Sequence, residues 1–157
     1  MNMNQIAFYA SSDEQAEQIK AQFGLSNAEW IKDTVHARSS VWDFPEEPNT
    51  AELHFNYDLG IELEILRYIQ GRNWHDPARI LDGQFKVPFI SHVGIHLADG
   101  EEFPAMEHCK LVQETFTVSH TAKYLTEGPA AGRKYHYRIF EMSQGSYIKH
   151  IRRIHPK

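Results

Sequence analysis

The chain has 157 residues, 41% hydrophobic and 24% charged, ordinary values for a soluble globular protein and enough for one compact domain with a real core. Its 16 Lys and Arg against 21 Asp and Glu leave a net charge of −5, which argues against nucleic acid as the main partner, because phosphate binding needs a basic footprint. No run approaches a membrane span, the opening MNMNQIAFYA lacks the charged start and long apolar stretch of a secretory signal, and the lone Cys109 excludes an internal disulfide, so a cytoplasmic protein without a membrane partner is expected.

NQIAFYA (4–10) opens the chain as a strand. SSDEQAEQIKAQFGL (11–25) has the marks of a helix: Ser12 and Gln15 form a capping box, Ala16, Ile19 and Phe23 recur at helical spacing, and Gly24 sits where a C′ residue should. EWIKDTVHARSSVWDF (29–44) and TAELHFNYD (50–58) alternate apolar and polar residues and predict strands. After the turn YDLG, IELEILRYI (61–69) returns as a strand with Ile61, Leu63 and Ile65 on one face and Glu62, Glu64 and Leu66 on the other. The first part, about 1–70, therefore reads β-α-β-β-β. Gly, Pro and Asp punctuate QGRNWHDPARILDGQFKVP, which predicts a linker over about 71–88.

Over about 89–157 the order recurs. In FISHVGIHL (89–97), His92 and His96 stand four apart, the spacing of a zinc pair on a helix, but on a strand they share one face with Gly94 between them. FPAMEHCKLVQETF (103–116) is expected to hold a helix with Pro104 in its first turn. TVSHTAKYLTE (117–127), RKYHYRIFEM (133–142) and SYIKHIRRI (146–154) predict three strands, the last with its basic charges facing outward. Two landmarks support a duplication: Gln5 of QIAFYA falls on His92 of HVGIHL at an offset of 87, and Gly60 of LGIELEIL on Gly145 of QGSYIKHI at 85. Within a second β-α-β-β-β, 90–97 is the opening strand and not a zinc-binding helix.

Two βαβββ modules, each opening on a strand with Gln or His and closing on a Gly-led strand, resemble the vicinal oxygen chelate superfamily, which includes glyoxalase I, methylmalonyl-CoA epimerase, extradiol dioxygenases and the bleomycin- and fosfomycin-resistance proteins. The resemblance covers almost the whole chain on short, degenerate motifs: SHVGIHL and GIELEIL match well, and QIAFYASSDEQAEQIKAQFGL fairly. It implies an α+β fold, a single glyoxalase-like domain whose two tandem modules form a curled mixed sheet around a cleft. It also implies a divalent metal (Zn, Ni, Mn or Fe) held there by the first and last strands of each module. Carried over by position, the ligands are Gln5, His92 and Glu64, with Glu62 as fallback on the same face. The fourth position is Lys149, whose ammonium has no lone pair for a metal. His150 could replace it through a one-residue bulge, and Glu141 is a more distant substitute.

Such a metal keeps open positions for two oxygens of an enediolate or catecholate, and a carboxylate beside it serves as base. Glu64 and Lys149 are thus the candidate catalytic residues, Lys149 as a point charge that could stabilise an oxyanion in a metal-free cleft. Tyr9, His96 and Tyr137, with Trp42 and Tyr135, are candidate pocket-lining residues. Singly, each of these has a plainer explanation: a solvated strand Gln, a water-facing pair of glutamates, a structural histidine, a core aromatic. Two readings follow, and whether the chain is an enzyme stays open between them. One is a metal-dependent lyase, isomerase or dioxygenase. The other is a metal-free protein that sequesters a small molecule. A homodimer is compatible with either. There is no G-x-S-x-G and no Walker pattern.

Overall fold

A computed structural model describes residues 4–37, 39, 49–70, 89–119, 134–143 and 146–154. Trp42, the linker at 71–88, residues 120–133 and Gly145 lie outside the described residues. The elements are β1 (Asn4–Tyr9), α1 (Asp13–Gln22), β2 (Ile31–Ala37), β3 (Asn49–Asn56), β4 (Glu62–Gln70), β5 (Phe89–His96), β6 (Lys110–Ser119), β7 (Lys134–Glu141) and β8 (Tyr147–Ile154). The eight strands form one mixed sheet in the order β1-β4-β3-β2-β6-β7-β8-β5, and β1 pairs with β5 to close the ring. β1 runs parallel to β4 and β5 parallel to β8; every other neighbouring pair is antiparallel.

Local chemistry accounts for α1. Ser12 Oγ accepts the Gln15 amide at 3.2 Å, while Gln15 Oε1 reaches back to the amide of Ser11 at 2.8 Å, one residue before the expected capping-box partner. At the other end Gly24 takes φ +70°, its amide bonds Ala21 O and the Leu25 amide bonds Lys20 O. This is a Schellman stop, which an L side chain at position 24 would strain. Ala16 and Ile19 of the helix pack with Phe8, Ala10, Leu25, Leu63 and Ile65 into a buried cluster. Because strand side chains alternate, Phe8, Leu63 and Ile65 face out of the barrel toward α1, and Gln5, Ala7, Glu62 and Glu64 are turned inward. All four of these inward residues are buried.

The helix expected within 103–116 is not formed. Residues 101–109 are irregular with one turn, and 110–119 is β6. His108 adopts φ 61°, which takes the backbone out of the helical region just before Cys109. Beyond it, KLVQETFTVS carries β-branched residues at 112, 115, 117 and 118 and buries Gln113 and Thr115 at strand spacing, so period two prevails over period 3.6. Phe103 of this segment covers the outer face instead. Its ring lies under the guanidinium of Arg152 at 4.6 Å, near Arg138 at 5.5 Å and edge-on to His136 at 4.8 Å. The cover is incomplete, leaving Ile90 56%, Val93 41% and Phe116 53% exposed. Among the described residues no helix is long and apolar enough to cross a membrane.

Candidate functional site in the barrel interior

β5 settles how the two histidines stand. His92, Gly94 and His96 alternate along a strand, in the phase that turns them inward. The register puts Gln5 beside both Glu62 and Gly94, and Ala7 beside both Glu64 and His92. A bulge opens at Ser91, whose hydroxyl lies 3.1 Å from His92 Nδ1. Gly94 also pairs with Lys149 on β8, so Gln5, Gly94 and Lys149 occupy one level of the barrel.

Gln5 links the cluster. Its amide nitrogen donates to Glu62 Oε1, and its carbonyl oxygen lies 3.0 Å from His92 Nε2. In that orientation His92 carries its proton on Nε2 and accepts from Ser91 at Nδ1. The fit is close: a Cβ on Gly94 would come within 2.6 Å of Gln5 Oε1. Glu62 also takes His96 Nε2 at 3.2 Å and the Tyr57 hydroxyl at 2.8 Å. Burial pushes the Glu62 carboxyl up, but the hydrogen bond and charge of His96 and the bonds from Tyr57 and Gln5 outweigh it and hold the group below the usual carboxylate range.

Glu64 is the opposite case. It is 2% exposed, and its Oε2 has no hydrogen-bond partner. The nearest basic atom, His92 Nε2, is 4.0 Å away. Burial raises its pKa; attraction by Lys149 opposes this and repulsion by Glu62 adds to it. Two glutamates on one strand face are thus shifted in opposite directions, Glu62 down and Glu64 up. Gln5, Glu64 and His92, expected together from the sequence, lie together; Glu62 accepts from three donors, whereas Glu64 has one oxygen without a partner.

Lys149 faces the interior, and among the described residues its ammonium makes no ion pair with Glu64. It lies over the Tyr137 ring, 4.4 Å from the centroid. The Tyr137 hydroxyl accepts from Gln113 Nε2 at 3.1 Å, and burial raises its pKa well above the ordinary phenol. Tyr135, two residues away, shares this face. Tyr9 is half-buried and stands one level beyond Ala7, away from Gln5, with its pKa raised by burial against the pull of Arg67.

His150 does not join the cluster. β7 and β8 pair without a break from Lys134–Ile154 to Glu141–Tyr147, so no bulge rotates it. It faces outward beside Arg138, 6.1 Å from the Phe140 ring, and burial and then Arg138 lower its pKa. Glu141 is also spoken for, accepting from the Tyr147 hydroxyl at 3.1 Å. Sequence reasoning missed Tyr57, Ser91 and Gln113 as partners of the site. Gln113 and Thr115, at strand spacing in β6, were the legible signal.

Among the described residues no three His, Cys, Asp or Glu side chains form a metal-binding group by themselves. The expected trio includes an amide, Gln5. Its Oε1 lies 3.0 Å from His92 Nε2, about the donor–donor edge of an octahedral site with bonds near 2.1 Å. The 4.0 Å from His92 to Glu64 is wider, within reach of a change at the unpartnered carboxylate. No protein-family model matches the chain and no curated protein matches it.

Proposed function

We propose that this protein is a glyoxalase-like barrel of two related modules, about 1–70 and 89–157, whose interior binds a small oxygen-rich ligand and exchanges a proton with it through Glu64. The pairing scheme supports the duplication. In each half the first strand runs parallel to the fourth, and the fourth, third and second follow antiparallel. In this reading the second module has replaced its helix with the segment around Phe103.

The observation that carries the function is the buried, unpartnered oxygen of Glu64 beside the Gln5–His92 pair. A carboxylate with raised proton affinity, aimed into a closed interior, suits removal of a proton from a carbon next to oxygen. Gln5, His92 and Glu64 fit a divalent metal, which when bound would stabilise charge developing on two neighbouring ligand oxygens. Gln5 is oriented for this by Glu62, and Ser91 holds the His92 ring.

A metal-free binding protein is the second reading, favoured by Lys149: its cation stands at the level where the resemblance implies a fourth carboxylate. Titration calorimetry with Zn²⁺, Ni²⁺ and Mn²⁺ separates the two. The first expects binding that falls at least about tenfold in His92→Ala and Gln5→Ala and rises in Lys149→Glu, as loss of a ligand or recovery of a carboxylate should do. No binding in either the natural protein or Lys149→Glu rules out the metal.

A further inference from the structure

We propose that the ligand is a small organic monoanion, a carboxylate with a hydroxyl on the adjacent carbon, whose carboxylate meets Lys149 and whose hydroxyl donates to Glu64. This rests on the interior being the ligand site and adds the chemical class it takes. Three polar groups on the interior face are short of partners: Glu64 at Oε2, His96 at Nδ1 and the Lys149 ammonium. Glu64 Oε2 accepts nothing, and among the described residues Lys149 has neither an ion pair nor a hydrogen bond, only the face of the Tyr137 ring. The two are close enough for the ammonium to attract the carboxylate, yet they do not touch. Other polar groups nearby are occupied: Glu62 by three donors, Gln5 by Glu62 and His92, the Tyr137 hydroxyl by Gln113, and His96 at Nε2 by Glu62.

A buried acceptor left unpaired is costly, so Glu64 Oε2 calls for a donor, and the half-buried Lys149 ammonium beside it calls for an anionic acceptor a short distance away. An α-hydroxy carboxylate has both on neighbouring carbons. Charge sets the count. Among the described residues Lys149 is the ammonium on the interior face, and Glu62 and Glu64 already share that interior, so a ligand with one negative charge meets less repulsion than a phosphate dianion. Gly94, lying between Gln5 and Lys149 in the register, adds no side chain at that level.

The test is an NMR titration of the full chain, observing the His92 ring, with sodium glycolate, acetate and the neutral glycolamide. Glycolate should bind about tenfold to a hundredfold more tightly than glycolamide, the range of one charge-assisted hydrogen bond, and more tightly than acetate. Lys149→Met should abolish the preference over glycolamide, Lys149→Arg should keep part of it, and Glu64→Gln should reduce the preference over acetate. Equal response to glycolate and glycolamide, or unchanged glycolate affinity in Lys149→Met, overturns this assignment and leaves the interior as a site for neutral ligands. No response of His92 to any of the three probes overturns both.

Discussion

Gly94→Ala tests the interior directly, because the added atom has one place to go. The glycine has no left-handed φ, so an alanine there carries no backbone strain and its effect is steric. Its Cβ would lie 2.6 Å from Gln5 Oε1, 3.0 Å from Gln5 Cβ and 3.2 Å from Gln5 Cδ. Rotating the amide away relieves the first and last contacts but gives up the bonds to Glu62 and His92. The bond to an ionised carboxylate contributes about 1.5–3 kcal/mol and the neutral one about 1 kcal/mol. The Cβ–Cβ contact requires β1 and β5 to separate slightly, an overpacking cost of about 1 kcal/mol or more. Removing a strand glycine returns about 0.5–1 kcal/mol. The net is a loss of about 2.5–4.5 kcal/mol, which urea unfolding at neutral pH would read as a lower midpoint with unchanged slope. Gln5→Ala removes Oε1 and Cδ in advance, so in that background the same substitution should cost at least about 1 kcal/mol less. A neutral or stabilising Gly94→Ala, or an equal cost in both backgrounds, would show that Gln5 does not occupy the space over Gly94.

Glu64→Gln should stabilise the protein increasingly as pH rises above 4.5: a carboxyl whose folded pKa is raised contributes stability below its ordinary value and loses it through the folded one, and the amide removes that dependence. A difference in melting temperature that stays constant from below 4.5 to neutral pH would contradict this. Glu62 has the reverse sign, with stability present above 4.5 and lost as pH falls through its lowered value, so Tyr57→Phe should cost about 1.5–3 kcal/mol at neutral pH and about 1 kcal/mol or less in acid. Chemical denaturation at the two pH values measures it, and an equal loss at both would assign Tyr57 another role. Phe103→Ala should cost about 1–2 kcal/mol, from two cation–π contacts and the ring's packing, and should speed amide exchange in 98–109 more than in β5.

Much of the first half was legible because local rules and tertiary structure agree there. Ser12, Gln15 and Gly24 mark both ends of α1, and the alternation of IELEIL sends Leu63 and Ile65 to the helix and Glu62 and Glu64 to the interior. Gln5 and His92, the residues matched by the offset of 87, lie on strands that pair, with their side chains meeting at 3.0 Å. Residues 103–116 misled because Pro104 suits a helix start as well as an irregular segment, while the positive φ at His108 leaves no mark in the sequence. Hydrogen-bond saturation was also invisible. That Glu62 has three donors and Glu64 an unpartnered oxygen depends on Tyr57 and His96 arriving from other parts of the chain.

Closure of the ring bears on how the protein folds. β1 and β5 meet through residues such as Gln5 and His92, 87 positions apart, and β2 meets β6 across a comparable span. Such contacts cannot form until a long loop has closed, which slows folding relative to a fold of local contacts. Gln5 and Glu64 stand on β1 and β4 and His92 on β5, so the pairing of β1 with β5 is what brings them into one dry interior. Contacts of this span are expected to form late, so a ligand that binds the site should slow unfolding more than it speeds folding.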